Sequence, residues 1–221
     1  LRGRGVRGRA HGPLRRAHEG HRRGADNIHN VVKYASKHGV KFITLYSFST
    51  ENWSRPILEV DALMQLLVMQ LAKEVPELIE RGIRLQHYGN RDKFSSEVLT
   101  AIDQACEATS KGSVLTIGLA LNYSGRSEIV HAIKSLLHSG CAAESIDESL
   151  IEKNLFTANV PNPDLLIRTA GEMRVSNFLL WQIAYSEIYV TQQCWPDFDA
   201  DSLDTAIEEF ASRSRTYVNI K

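Results

Sequence analysis

Asp164-Leu-Leu-Ile-Arg-Thr-Ala-Gly-Glu-Met-Arg-Val-Ser-Asn-Phe-Leu-Leu-Trp-Gln-Ile-Ala-Tyr-Ser-Glu187 decides how this chain is read. The run 164–167 is short and apolar, which predicts a buried strand. Arg168 follows at once, so its guanidinium emerges at the strand's C-terminal edge, where ligands of open α/β sheets bind. Arg174 and Ser176 lie six and eight residues further on, within reach of the same loop. Planar guanidiniums match phosphate oxygens bidentately, and Glu187 offers a carboxylate for a divalent metal on the same phosphates. These polar groups flank Phe178, Leu179, Leu180, Trp181, Ile183 and Tyr185. Solvated surface charge explains the arginines taken alone, but not their place around so apolar a run. The mixture suits a diphosphate joined to a hydrocarbon.

Outward from this stretch, four more runs rich in branched and aromatic residues predict strands: Val40–Phe48, Ile83–Tyr88, Val114–Leu121 and Glu187–Val190. Helical patterns lie between them at about 21–38, 58–81, 95–109, 124–138, 146–155 and 201–215, often with a glycine just past the end, as at Gly39, Gly82 and Gly140. The alternation predicts an α/β fold: a single domain with a mostly parallel sheet flanked by helices. The second helix carries a stripe of Val60, Leu63, Met64, Leu67, Val68 and Leu71, which Leu66 and Met69 extend round the cylinder. Two readings fit it: a helix packed on two sides, or a wall shared by the core and a hydrocarbon tunnel. Pro76 is expected to bend or end it.

The 221 residues, 43% hydrophobic, suffice for one core. Lys plus Arg and Asp plus Glu both total 26, so no global field draws the chain to nucleic acid or to an anionic membrane. Cys106, Cys141 and Cys194 lack the spacing of a zinc site or a disulfide framework, which fits a reducing, cytoplasmic setting. No apolar run approaches the roughly 20 residues of a membrane span, leaving at most a peripheral membrane contact. The first 24 residues differ from the rest, being mostly Arg, Gly, Ala and His. We read 1–19 as a basic, disordered or aberrant segment and 20–221 as the folded domain.

A second polar segment, Ser47-Phe-Ser-Thr-Glu-Asn-Trp-Ser-Arg-Pro56, leaves its strand at the edge where Arg168 emerges. Ser49, Glu51, Asn52 and Arg55 suit proton transfer and phosphate contact, and Trp53 offers a flat apolar face. Ser54 as a cap and Pro56 opening a helix account for only part of it. Asn122-Tyr-Ser-Gly-Arg126 enters a helix whose backbone amides face an anion in one reading and are capped by Ser124 in the other. Asp197, Asp199, Asp201 and Glu208 resemble a calcium loop, but Ser202 stands where that loop needs Gly. Asp201 is instead expected to cap the last helix. His11, His18 and His21 lack zinc-protease spacing, and neither a P-loop nor a dinucleotide fingerprint is present.

Together these segments resemble the cis-prenyltransferase family, through Gly20-His21, Ser47 to Pro56, Asn122 to Arg126, Arg168 to Glu187 and Trp195-Pro-Asp-Phe198. The resemblance implies an undecaprenyl diphosphate synthase-like fold with a hydrophobic tunnel, and a homodimer. It implies repeated condensation of isopentenyl diphosphate onto an allylic diphosphate such as farnesyl diphosphate, giving a long, membrane-partitioning polyprenyl diphosphate. Carried over by position, Arg168, Arg174, Val175 and Ser176 hold isopentenyl diphosphate. Glu187 binds Mg2+, Asn52 matches the proposed proton acceptor, and His21, Ser49, Thr50, Glu51, Trp53 and Arg55 match substrate-contacting positions.

One departure bears on activity. Where the family has Asp-Gly-Asn-Gly-Arg-Trp-Ala, whose Asp binds magnesium, this chain reads Arg4-Gly-Val-Arg-Gly-Arg-Ala10. A truncated or frame-altered reading, a non-catalytic partner subunit of a heteromeric enzyme, and diphosphate binding without that Asp each accommodate the change. The expectation is little or no turnover by this polypeptide.

Overall fold

The computed structural model describes residues 13–213, without the side chains of 13–19, 21 and 22. The elements run α1 (Pro13–Lys37), β1 (Phe42–Ser49), α2 (Ile57–Glu80), β2 (Ile83–Tyr88), α3 (Ser96–Ala108), β3 (Leu115–Tyr123), α4 (Gly125–His138), α5 (Glu148–Asn154), β4 (Leu165–Arg168), β5 (Glu187–Val190) and α6 (Ala200–Ser212). Every element expected from the sequence is present. Helix α1 begins at Pro13, upstream of the expected start near residue 21. Proline has no N–H to satisfy in a first turn, and Leu14, Arg15, Arg16 and Ala17 propagate helix well. Helix α1 thus reaches back into the segment expected to be disordered, and the expectation for 1–12 lies outside the described residues.

All strand pairs are parallel, but they form two ladders, β1-β3-β2 and β4-β5. Strand β3 is central and buried along almost its whole length, which explains its continuous apolar run. Gly118 is required there, since a Cβ would sit 2.0 Å from the Tyr88 ring. The edges of β1 and β4 line one cavity. The two ladders are tied across it by the Tyr46 ring of β1 stacking on Phe178, with centroids 4.5 Å apart. The main core packs α1, α2, α3 and α6 around Leu45, Phe48, Ile83, Leu85, Leu115, Ile117, Leu121 and Phe198.

Three local expectations are corrected. Pro76 does not end α2, which continues to Glu80, because Leu71 and Val75 hold the last turns against the core. The cap of α6 is Asp199, whose carboxylate accepts from the Ser202 amide, and Asp201 falls in the first turn. Ser54 likewise caps no helix. Its hydroxyl donates to the Glu51 carbonyl within the 3-10 turn Thr50–Ser54.

Candidate diphosphate and hydrocarbon site

A cavity of about 2510 Å³ joins the C-terminal ends of β1 and β4 to the inner face of α2. Small-molecule pockets span roughly 300–1,000 Å³, so this space suits a long ligand. Leu63, Met64, Leu66, Leu67 and Leu71 of α2 line it together with Leu85, Leu119 and Leu121. The inner face of α2 is thus shared by the core and the cavity. Met69, by contrast, faces solvent at 68% exposure.

At the polar end, the cavity gathers Ser49, Glu51, Asn52, Arg55, Arg168, Arg174 and Ser176. Arg168 closes β4 and is half-buried. Its Nε is shielded from solvent and has no hydrogen-bond partner among the described residues. Burial first, and repulsion from Arg174 second, lower its pKa below the usual guanidinium value. A buried, unpaired donor beside a second cation is an unfavourable arrangement for the empty protein, and an anion relieves both terms. Arg174 is more exposed and pairs with Glu172.

The loop that carries Ser176 is strained. Ala170, Ser176, Asn177 and Leu179 all have positive φ, between 45° and 61° at non-glycine positions, each costing on the order of 1–3 kcal/mol. Its surroundings hold it there. The Gly125 amide donates to the Asn177 carbonyl at 2.7 Å and the Arg126 amide to Asn177 Oδ1 at 3.0 Å. Asn177 Nδ2 donates to Glu51 Oε1 at 3.0 Å, which joins the two polar segments. Gly125 permits the approach, since a Cβ there would lie 2.8 Å from Leu180 Cγ. Beneath, the fully buried Glu128 accepts from Tyr123 and, at 3.0 Å, from Gln182, which also donates to Thr157 at 2.7 Å. The first amides of α4 are thus engaged by Asn177 and Ser124, so the anion reading of the Asn122 to Arg126 segment does not hold.

Burial alone would raise the Glu51 pKa, but hydrogen bonds led by Asn177 outweigh it and hold the carboxyl below the usual range. Tyr46, which donates to the Ser176 carbonyl at 3.4 Å, is pushed up to about 12 by burial and by Glu51, and stays a neutral phenol.

Not every expected residue reaches the cavity. Thr50, Trp53 and Val175 are absent from its wall. The Trp53 indole donates to Asn122 Oδ1 at 2.8 Å and packs edge-on against Phe48. Val175 joins the apolar cluster of Tyr88, Tyr123 and Phe178. Asn52 is at the wall, but its Oδ1 accepts from the Ser49 amide at 2.9 Å. Glu187 begins β5 opposite Leu165, three residues back from Arg168, a separation of about 10 Å along a strand. Its carboxylate accepts from Arg213 at 2.7 Å. Glu187 is thus paired with Arg213 and does not line the cavity, and no group of three metal donors among the described residues includes it. The side chain of His21 lies outside the described residues.

Asn177 and Tyr46 were not singled out from the sequence. The signal for Asn177 was an amide between Ser176 and an apolar run. Nothing local marked Tyr46, whose role depends on the loop after β4.

The family model for putative undecaprenyl diphosphate synthase matches residues 6–218. The isoprenyl transferase of Neisseria gonorrhoeae is 43% identical over 198 residues, covering 90% of this chain and 79% of that protein. The isoprenyl transferase of Clostridium perfringens is 45% identical over 206 residues, covering 91% and 81%. Among solved structures, lavandulyl diphosphate synthase from Lavandula x intermedia, in complex with dimethylallyl diphosphate, superposes with a TM-score of 0.85 at 34% identity, covering 90% and 88%. A probable undecaprenyl diphosphate synthase from Campylobacter jejuni gives 0.79 at 29% identity, covering 88% and 91%. With an α/β fold, a cationic rim and an apolar cavity in one chain, and relatives matching along nearly its whole length, the protein belongs to the undecaprenyl diphosphate synthase family of isoprenyl transferases.

Proposed function

We propose that the chain binds isopentenyl diphosphate through Arg168, Arg174 and Ser176 and descends from enzymes that condense it onto an allylic diphosphate. The observation that carries this is the buried, partnerless Nε of Arg168, set beside a second guanidinium at the mouth of an apolar cavity. In the reaction, the allylic C1–O bond breaks and pyrophosphate leaves with the bonding pair. The alkene of isopentenyl diphosphate attacks C1, a C–C bond forms, and a proton is lost. The arginines hold the diphosphate where charge is concentrated. The growing tail passes along α2, each buried methylene contributing about 0.8 kcal/mol, which supports a long-chain, membrane-partitioning product. Ser49, Thr50, Glu51, Trp53, Arg55 and His21 remain proposed substrate contacts, of which Thr50 and Trp53 act through the shape of the turn, and Asn52 the proposed proton acceptor.

Magnesium, when bound, would neutralise the leaving pyrophosphate. Glu187, once released from Arg213, would be the residue of this chain that helps to hold it. That engagement of Glu187 favours a second reading, a non-catalytic partner subunit. Both readings predict diphosphate binding. In calorimetry with isopentenyl diphosphate, Arg168→Ala should weaken binding by about 10- to 100-fold, the loss of charged hydrogen bonds worth roughly 1.5–3 kcal/mol. Unchanged affinity would refute the site. Little or no magnesium-dependent elongation of radiolabelled isopentenyl diphosphate is expected from the chain alone, and measurable elongation would remove both the impairment and the subunit reading.

The α4 face with Val130, Ile133 and Leu137, which are 49%, 39% and 60% exposed, supports a homodimer. No described helix is long and apolar enough to cross a membrane. A cytoplasmic location with peripheral membrane contact remains the proposed setting.

A further inference from the structure

The far end of the cavity, where α1 crosses the last turns of α2, holds a cluster unrelated to the diphosphate rim. Glu74 and Glu77 stand three residues apart on one face of α2, and His29 faces them from α1. His29 Nδ1 lies 3.4 Å from Glu74 Oε2 and 3.2 Å from Glu77 Oε2. One donor atom from each residue falls within 4.8 Å of the other two. All three residues line the cavity wall. Glu74 is fifteen residues along α2 from Glu59, about 22 Å on the helix axis, so the cluster is remote from the polar end of the cavity.

We propose that His29, Glu74 and Glu77 bind a first-row divalent transition metal, with zinc as the probe. The geometry supports this in two ways. Ligands about 2.0–2.1 Å from a tetrahedral zinc are separated by about 3.3 Å, and the two nitrogen-to-oxygen distances sit at that spacing. The other carboxylate oxygens are turned toward cations. Glu77 Oε1 accepts from Arg81 Nε at 2.6 Å and Glu74 Oε1 lies 3.5 Å from Lys73 Nζ. Such outer contacts orient metal ligands and leave Oε2 of each glutamate facing the imidazole. One imidazole and two carboxylates suit zinc or its neighbours and leave a position for water. Bound metal would clip α1 to α2 across the end of the cavity.

The competing arrangement is a protonated His29 paired with two glutamates, and metal titration separates the two. Chelator-treated full-length protein is titrated with zinc, read by calorimetry and by thermal unfolding, since a ligand of the folded state raises its stability. Cobalt, read by its visible absorption, reports whether the site is tetrahedral. Zinc should raise the melting temperature of the wild type and of His38→Gln, whose histidine pairs with Asp204 elsewhere. Glu74→Gln and His29→Gln should weaken the zinc affinity by at least tenfold. His29→Lys keeps a positive charge for the glutamates and removes the ligand, so it should keep the metal-free stability and lose the zinc response. A zinc response equal in all variants, or none in the wild type, overturns the proposal.

Discussion

At the residue scale, the polar rim leaves one cation, Arg168, under-satisfied and one carboxylate, Glu51, well supplied with donors. Arg168 lacks a partner for Nε, whereas Glu51 receives hydrogen bonds from Asn177, Ser49 and Thr50. The Asn177 bridge has a pH signature. A carboxyl whose folded pKa is depressed binds its proton less tightly than in the unfolded chain, so its contribution is present above the unfolded value and is lost as pH falls through the folded one. Asn177→Ala removes the leading hydrogen bond, and the Glu51 pKa should rise toward its ordinary range. Carboxyl-detected NMR titration measures this directly. The variant's deficit in unfolding free energy should appear above the usual Glu range and vanish at lower pH, and an unmoved Glu51 titration would show that Asn177 does not hold it. Arg168 and Ser176 were legible in the sequence because they sit on a motif. The Glu51 to Asn177 bond was not, since it joins residues 126 apart and depends on a loop with positive φ at several non-glycine positions.

At the element scale, periodicity and punctuation told most of the story. Glycines at 39, 82 and 140 do stand at helix ends with positive φ, and the stripe on α2 does face inward. Of the two outcomes expected at Pro76, the helix end is avoided for a physical reason: proline's helix cost of about 3 kcal/mol is opposed by burial of the turns on either side of it. That leaves a removable penalty. Pro76→Ala restores an amide able to donate to the Ala72 carbonyl and gives up the stiffness proline lends the unfolded chain, worth about 0.4–1 kcal/mol. The balance should favour the variant by about 2–2.6 kcal/mol, seen as a higher denaturation midpoint with an unchanged slope. A lower midpoint would mean that the proline's local geometry is needed to seat Val75 and Leu78 against the core.

At the scale of the whole molecule, the partition into two ladders could not be read from strand patterns. Alternation of strands and helices predicts parallel pairing but not which edges remain free, and here β1 and β4 border the cavity instead of each other. The exterior poses the corresponding question for assembly. Val130, Ile133 and Leu137 recur at i, i+3 and i+7 on α4, so they share one face, and no residue of α4 lines the cavity. Isolated exposed apolar residues are ordinary, but a stripe on one helix face marks an interface. A second copy is its proposed occupant, through a two-fold contact that sets the stripe against its equivalent. Ile133→Glu places a charge at the centre of that contact, where a loss of at least 2 kcal/mol is typical of anchoring positions, a weakening of about 30-fold in dimer affinity. Sedimentation should show a dimer for the wild type and a shift toward monomer for the variant. Because the stripe lies away from Arg168, the variant monomer should still bind isopentenyl diphosphate. A variant that stays dimeric would move the interface elsewhere, and a variant monomer that no longer binds would show that the partner shapes the diphosphate site.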